Sequence, residues 1–593
     1  MRMRFGLCTV MVSVLAVGPA THAQRPTAQS QKPLVLRGAL LIDGSGGAPV
    51  PNSVIVLAGD KIQAVGSQGS VSVPADATVI DATGKTIIPG LVDSHVHYRN
   101  FLAPFFLYWG VTTVGDMGNT QGWILSEKRA VEKGLIQGPF IMAVGRFLTM
   151  PTPQGEPRNT AERNGYDPGQ WMYGNETWVY VNTDAEIEAV IAGAKKLGID
   201  GIKLYTRLPP DKMKKAAEFG HHYGLPVFAH YTGGTARGGN FLGTDEILDT
   251  GIDGHLHLFG LIKSTAPLDV RQRIEKGENV RAWHLLDTSK FPGLAQKLVD
   301  KKMYLNPTFI GSQIATPGSK HLAEFEEANT AFMQGPMGKL IPPESLPNYL
   351  RAFKPAQGQA AEEAKEGFRR AGVFVKEFSD RGGKVIAGGD EGSNIFIAGL
   401  TMHFELQLLQ EAGLSPMQAI QAATSWGMEA WGKSSIAGTI AAGKRADLVI
   451  LNRNPLDDIS ATRDISQVIQ AGKVVDRAAL ANWKDSLPRP TPDQTGPANT
   501  LFHIPFINEV SPEMLIANSA TTEVTIRGDR FTPDCFVLFN DQVVPVKVQD
   551  EHRITASIRL KPAAAMGSYS IVVVRPGSGG GVSNANYIVV TPE

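Results

Sequence analysis

Cysteine is nearly absent from this sequence: 593 residues hold two, Cys8 and Cys535. Cys8 lies in an N-terminal segment that reads as cleaved, so the mature chain keeps one thiol. That excludes an internal disulfide and any zinc site built on paired thiolates. Cys535 reads as a small buried apolar side chain. An excess of either charge is also missing. Lys+Arg and Asp+Glu are both 57, with no long basic run, so nothing recruits nucleic acid or an anionic membrane surface. Long hydrophobic runs are missing too. The apolar stretch over residues 5–19 is too short to cross a bilayer. It follows Arg2 and Arg4 and precedes Ala20-Thr21-His22-Ala23, the pattern of a secretory signal peptide cut after Ala23. The expectation is a periplasmic or secreted protein with no membrane span after cleavage. The competing reading of the same run is an uncleaved anchor.

What is present reads as an ordinary globular chain, with 42% hydrophobic and 19% charged residues. Its length allows about three domains. After the signal peptide (1–23) and a polar lead-in, residues 34–85 show short apolar runs split by Gly, Asp and Pro, such as Ser53-Val54-Ile55-Val56-Leu57 before Gly59-Asp60. That texture predicts antiparallel strands. Over 86–434, strand-like runs alternate with helical stretches. Ile202-Lys203-Leu204-Tyr205 precedes a helix over 211–223, and Pro226-Val227-Phe228-Ala229-His230 follows it. Asp184 is the cap candidate of the helix before them. Repeated β-then-α at this length predicts an α/β fold with a (β/α)8 barrel. The short-strand texture returns over 435–480, which reads as the second half of the small β-domain begun at residue 34. Pro488, Pro490, Pro492 and Pro497 make 481–500 a stiff linker. Residues 501–593 read as a small β-sandwich, partly independent of the barrel.

The chemistry gathers at strand ends. Gly90-Leu91-Val92-Asp93-Ser94-His95-Val96-His97 ends an apolar strand in two histidines two apart, on one strand face. Two converging imidazoles are half of a metal site. Lys203 sits on an apolar strand, where its charge is costly unless removed or paired. His230, His257 and Asp390 each end a further apolar run, and the C-terminal ends of barrel strands are where barrel active sites lie. His255 shares an expected face with His257 and reads as its support. Cys535 apart, every donor is nitrogen or oxygen.

These motifs in this order resemble the amidohydrolase superfamily, most closely its imidazolonepropionase-like and Xaa-Pro-dipeptidase-like branch. Residues 89–97 are similar to its first-strand motif. Lys203, His230, His257 and Asp390 match its fourth-, fifth-, sixth- and eighth-strand ligand positions. Gly438-Thr439-Ile440 and Ala446-Asp447-Leu448-Val449 resemble its closing β-domain. The last segment resembles an IPT/TIG (Ig-like) domain through Ser511-Pro512, Thr525-Ile526-Arg527-Gly528, Phe531, Gly567 and Ser583-Asn584. The resemblance implies that His95, His97, Asp390 and N6-carboxylated Lys203 hold one divalent metal, and Lys203, His230 and His257 a second. Zn2+ comes first for such donors, then Mn2+ or Fe2+. Asp390 would move the proton while metal-activated water attacks an amide or peptide carbonyl. Three departures bear on substrate: Leu256 stands where a Glu usually precedes the sixth-strand His, Gly388-Gly389-Asp390-Glu391 replaces Gly-Thr-Asp-Ala, and residues 150–157 replace a Gly- and His-rich loop.

The expected partner is a small-molecule or peptide substrate, with Glu391, Tyr205 and Arg207 as candidate contacts and Tyr231 as a hydrogen-bond donor to the developing oxyanion. The leading reading is an exported amide- or peptide-bond hydrolase, with a dipeptidase as its foremost form. Two readings stay open beside it: a mononuclear cyclic-amide or lactone hydrolase, and a non-catalytic binding protein working through its sandwich. A surface or carbohydrate contact through residues 501–593 and a homo-oligomer also stay open.

Overall fold

The computed structural model describes residues 32–591 other than 100–101, 152–177, 233–239, 312–315, 341–352, 354, 392–396, 482–504, 518–519, 561–563, 565–566 and 577–579. The expected signal peptide, almost all of the Pro-rich linker and most of the loop at 150–157 lie outside the described residues. Among the described residues, no helix is long and apolar enough to cross a membrane.

The barrel is built from parallel strands whose side chains are buried on both faces, which explains their unbroken apolar runs. Leu91–Val96, Val111–Asp116 and Phe140–Ala143 pair in sequence order. Ile202–Tyr205, Val227–His230, Gly254–Leu256 and Tyr304–Asn306 follow, again in parallel. Asp200 N bonds Ala143 O at 2.8 Å, joining the third strand to the fourth. Residues 385–391 form the eighth stave: Val385 bridges Leu305, and Glu391 bridges Val96. The first strand thus meets the last, and the ring closes. Helices pack outside it. Asp184–Leu197 buries Ile187, Ile191 and Ala194 on one face. Its cap is Thr183 rather than Asp184: Thr183 Oγ1 accepts from Glu186 N at 3.2 Å, while Asp184 takes the first helical position, where its charge favours the helix dipole.

The flanking segments share one sheet. Leu448–Leu451 runs antiparallel to Thr86–Pro89, which pairs in parallel with Leu34–Leu41. Thr86–Pro89 therefore belongs to the small β-domain, past the expected boundary at 85, because its register against Leu448–Leu451 runs unbroken to Pro89. At Gly90 the chain turns into the barrel; a Cβ there would clash with Thr112.

The last segment is a two-sheet sandwich. One sheet joins Phe506–Ser511, Thr521–Asp529, Arg553–Arg559 and Val546–Asp550; the other runs from Met514–Ile516 through Asn586–Thr591, Gly567–Arg575 and Phe536–Phe539 to Gln542–Val544. Cys535 is buried in its core, as its composition suggested. The expected independence of this sandwich is corrected by its packing. Leu538, Val572, Val574 and Val582 project from the second sheet and bury against Ala130 and Ile136 of the barrel. Around this apolar patch, Arg129 pairs with Asp541 and Lys133 Nζ donates to Asp541 O at 2.7 Å. The physical reason is area: those outward valines and leucine would otherwise leave an exposed apolar sheet face.

Glu127, on the barrel helix Gln121–Glu132, accepts from Val582 N at 3.1 Å inside this interface. Burial pushes its carboxyl up to about 8, against the lowering effect of that bond. The folded protein then holds a proton that the unfolded chain releases near 4.5. Stability should fall as pH rises from there to about 8, then level off, by on the order of a few kcal/mol. Glu127→Gln should flatten that part of the slope. Denaturation midpoints at pH 5.5 and 8.5 test it; identical slopes in both proteins would refute the assignment.

Candidate metal centre

The strand ends bring one cluster together at the barrel mouth. His97 Nε2 lies 3.2 Å and His95 Nε2 3.5 Å from Asp390 Oδ1, and one ligand atom from each of the three falls within 4.8 Å of the others. Lys203 Nζ is 3.2 Å from His95 Nε2. The His257 ring stands 5.0 Å from that of His95 and 4.4 Å from that of His230. All six residues proposed from the sequence as ligands therefore meet, though they come from five different strands. Buried backbone bonds hold the first and eighth strands in register, with Asp390 N donating to His95 O and His97 N to Glu391 O, both at 2.7 Å.

The imidazoles are aimed by their outer nitrogens. Asn306 Nδ2 donates to Ile386 O, which leaves its Oδ1 to accept from His95 Nδ1 at 2.9 Å. Thr308 gives its hydroxyl proton to Pro307 O, so its Oγ1 accepts from His257 Nδ1 at 2.6 Å. Gly118 O accepts from His97 Nδ1 at 3.4 Å. With the Nδ1 protons directed outward, the inward Nε2 atoms are acceptors facing the Asp390 carboxylate. Acceptors gathered in a dry site repel unless a cation lies among them; Lys203 Nζ, 3.2 Å from His95 Nε2, offers one, and a bound divalent metal would offer another. This donor set, neutral nitrogen and carboxylate oxygen without thiolate, fits a borderline divalent metal such as zinc, manganese or iron.

The electrostatics agree. Burial lowers His95, His97 and His257, and takes His230 to about 3, so all four are neutral, the form that binds metal. Burial would raise Asp390, but the surrounding imidazoles hold it well below the usual carboxylate range. Burial brings the Lys203 ammonium down to about 8, with Asp390 and Asp116 opposing. Backbone strain collects here as well: Asp390, His257 and Thr308 have φ of 54°, 63° and 44°. A β-branched residue at such a φ is costly, and cost of this kind persists where surrounding structure fixes a site.

Several sequence expectations change. His255 and His257 do not share a face. The strand ends at Leu256 and His257 turns left-handed, so two-residue alternation stops short of it. His255 instead bonds Tyr231 Oη. Tyr231 is not placed as an oxyanion donor, because its hydroxyl also binds Thr244 Oγ1 at 3.0 Å and its ring is buried. Tyr231→Phe should leave kcat within about twofold and lower stability by roughly 1–2 kcal/mol; a kcat loss of a hundredfold would restore the oxyanion role. Glu391 is not a substrate contact either. It is fully buried, bonded to Thr401 Oγ1 at 2.5 Å and paired with Asp93. Burial raises both carboxyls, and Glu391 raises Asp93 further, so the pair keeps a proton. A Cβ at residue 389 would collide with the Glu391 carboxyl. The two departures in the eighth strand are thus one change: Gly389 makes the room that Glu391 fills. Tyr205 and Arg207 do reach the mouth. The Tyr205 ring is 5.1 Å from His230 and stacks on Phe147, and the Arg207 guanidinium lies 5.7 Å from the Trp178 ring.

Sequence reasoning missed Asn306, Thr308 and Glu405. Glu405 accepts from Phe309 N at 3.0 Å and Ile310 N at 2.8 Å, fixing the turn that carries Thr308. Neutral polar residues after an apolar strand give no motif; Glu405, an acid between Phe404 and Leu406, was the signal available.

Comparison with known proteins agrees with this architecture. Residues 362–475 match the amidohydrolase family and residues 505–589 the IPT/TIG domain. A dihydroorotase of Leifsonia xyli subsp. xyli is 43% identical over 70 residues, which span 12% of this chain and 14% of that enzyme. The match to this curated relative thus spans a small part of its length. Two solved structures share the fold at larger scale. A putative prolidase from Bifidobacterium longum has TM-score 0.52 and 22% identity, covering 78% of this chain and 97% of that one. A molinate hydrolase has TM-score 0.54 and 20% identity, covering 78% and 99%. The closed barrel and its inward-facing acceptors thus go with a segment, residues 362–475, that matches the amidohydrolase family, and the sandwich packed on the barrel matches the IPT/TIG domain over residues 505–589.

Proposed function

We propose that this protein is an exported, metal-dependent hydrolase that cleaves an amide or peptide bond, in the manner of a dipeptidase. The observation that carries the reading is the set of inward acceptors, His95, His97, His257 and Asp390, gathered around the buried Lys203 amine. His95, His97 and Asp390 would hold one divalent ion and His230 and His257 a second, with N6-carboxylated Lys203 between them. When bound, such ions polarise the scissile carbonyl and make a water acidic enough to attack at neutral pH.

The chain's own groups do the rest. Asp390 Oδ1, held ionised by the imidazoles, takes the proton of the attacking water and returns it to the leaving amine nitrogen. Asn306, Thr308 and Gly118 keep the imidazoles of His95, His257 and His97 in the tautomer that leaves Nε2 free of a proton. Arg207 and Tyr205 offer a cation and an aromatic face at the mouth, suited to a substrate with a carboxylate, such as a dipeptide or N-acyl amino acid. The fold likeness to a putative prolidase supports this class.

One observation favours a second reading. His95, His97 and Asp390 alone form a compact triad, which would suit a mononuclear hydrolase of cyclic amides or lactones. Elemental analysis of the purified protein separates them. About two metals per chain, with dipeptide hydrolysis lost on chelation and restored by metal and bicarbonate, is expected for the first reading. About one metal, with turnover of lactones or cyclic amides, would favour the second. No metal after supplementation would overturn both and leave a binding protein.

A further inference from the structure

The sandwich grips the barrel next to a proposed metal ligand. The backbone of Val582 is held from both sides by one barrel helix: its N donates to Glu127 Oε2 and its O accepts from Trp123 Nε1, each at 3.1 Å. The Trp123 ring stacks on Tyr98 at 6.2 Å, and Tyr98 directly follows His97. The turn over 117–120, which leads into the same helix, is bonded to the same residue. Asn119 Nδ2 donates to Tyr98 O at 2.8 Å and to Asp116 Oδ1 at 3.1 Å, and Asp116 Oδ1 also accepts from Tyr98 N at 2.9 Å. Within that turn, Gly118 O is the acceptor that orients His97 Nδ1, at a long 3.4 Å.

We infer that the IPT/TIG sandwich is a positioning part of the metal centre: by holding Val582 between Trp123 and Glu127 it fixes Tyr98 and the turn 117–120, and through them His97. Tyr98, the turn and the start of the helix form one hydrogen-bonded block, with the sandwich on one end and the imidazole on the other. A bond already at 3.4 Å has little reserve, so a small rotation of the helix releases the His97 ring. The outward apolar face of the sandwich has the same meaning. Leu538 and Val572 are each 1% exposed because they are spent on this contact, and Gly122 lacks the Cβ that would meet the Tyr587 hydroxyl. The sandwich surface available to a carbohydrate or cell surface therefore excludes this patch.

The inference rests on the metal reading above, and the test separates the two. Full-length protein, stripped of metal, is titrated with Zn2+ in bicarbonate buffer. Three proteins are compared with the parent: the sandwich variant Leu538→Asp/Val572→Asp, the barrel variant Trp123→Phe, and their combination. Trp123→Phe keeps an aromatic ring beside Tyr98 while removing the donor to Val582 O. Each should lose about tenfold in Zn2+ affinity and a similar factor in kcat, with KM within about twofold. The combination should lose little more than the larger single effect, since both act through one contact. Parent-like Zn2+ affinity in Trp123→Phe overturns the inference even if the aspartate pair fails to fold. So does parent-like affinity in an aspartate pair whose hydrodynamic radius shows the sandwich released. A parent that binds no Zn2+ overturns the metal reading and this inference together; a parent that binds it and variants that match it overturn only the inference.

Discussion

Lys203→Ala is expected to fold, to lose at least one metal position and to have no measurable turnover. The side chain is 1% exposed, its Nζ lies 3.2 Å from a histidine nitrogen and 5.5 Å from the Phe147 ring, and the charges of Asp390 and Asp116 do not offset the cost of its burial. An unmodified ammonium in that setting opposes folding. Removing it should therefore lower the melting temperature less than a large-to-small change in a core does, where a cavity typically costs about 2–5 kcal/mol. Function should respond in the opposite way. A carboxylated Lys203 would be the ligand common to both ions, and alanine offers no donor. Formate or acetate can enter the space left behind and supply a carboxylate, so partial recovery of both metal content and turnover at millimolar acid is the expected signature. Full activity in Lys203→Ala would refute the bridging role. Loss of activity with metal content unchanged would move Lys203 from ligand to substrate contact.

Asp390→Asn should lower kcat by about a hundred- to ten-thousandfold while the protein keeps part of its metal. The substitution isolates the carboxylate. Residue 390 has φ of 54°, a conformation that Asn adopts at least as readily as Asp and that Ala disfavours. The amide oxygen can still face His95 and His97, but it cannot accept and return a proton. A change confined to kcat, with KM little altered, fits a proton carrier. Turnover within tenfold of the parent would assign the proton transfer to another group. Both experiments read the same cluster from different sides: Lys203 tests how the ions are held, and Asp390 what the protein does with the proton.

Much of this cluster could be read from residue order. An apolar strand in a closed parallel barrel must point alternate side chains into the lumen, so a polar donor at its C-terminal end falls at the mouth whatever the loops do. That is why these donors stand out at the ends of apolar runs, while it was the resemblance to the amidohydrolase superfamily that made His95, His97, Lys203, His230, His257 and Asp390 a ligand set. The same logic failed at His255 and Tyr231. It assumes the strand continues, and the strand through His255 stops one residue before the ligand. It failed at Glu391 because an acid beside a ligand looks exposed in sequence. Only the missing side chain at Gly389 lets it fold back to Asp93 and Thr401.

The sandwich shows a signal that was present and misread. Ile571-Val572-Val573-Val574 is apolar at four consecutive positions, and in a two-sheet sandwich only alternate ones face the core. Ile571 and Val573 do so; Val572 and Val574 meet the barrel. The run itself announced a second covered face, but the Pro-rich linker before it suggested separation.

The sequence by itself determined the staves and the two-part sheet, because strand periodicity is local and needs no knowledge of neighbours, and motif order, through the resemblance it carries, marked which side chains could be ligands. Only the tertiary structure decided which nitrogen of each imidazole faces inward, where the backbone is strained at Asp390, His257 and Thr308, and what braces His97. Those depend on Asn306, Thr308, Gly118 and Val582, residues brought from 21 to 485 positions away in the chain, and no local pattern marks a partner that distant.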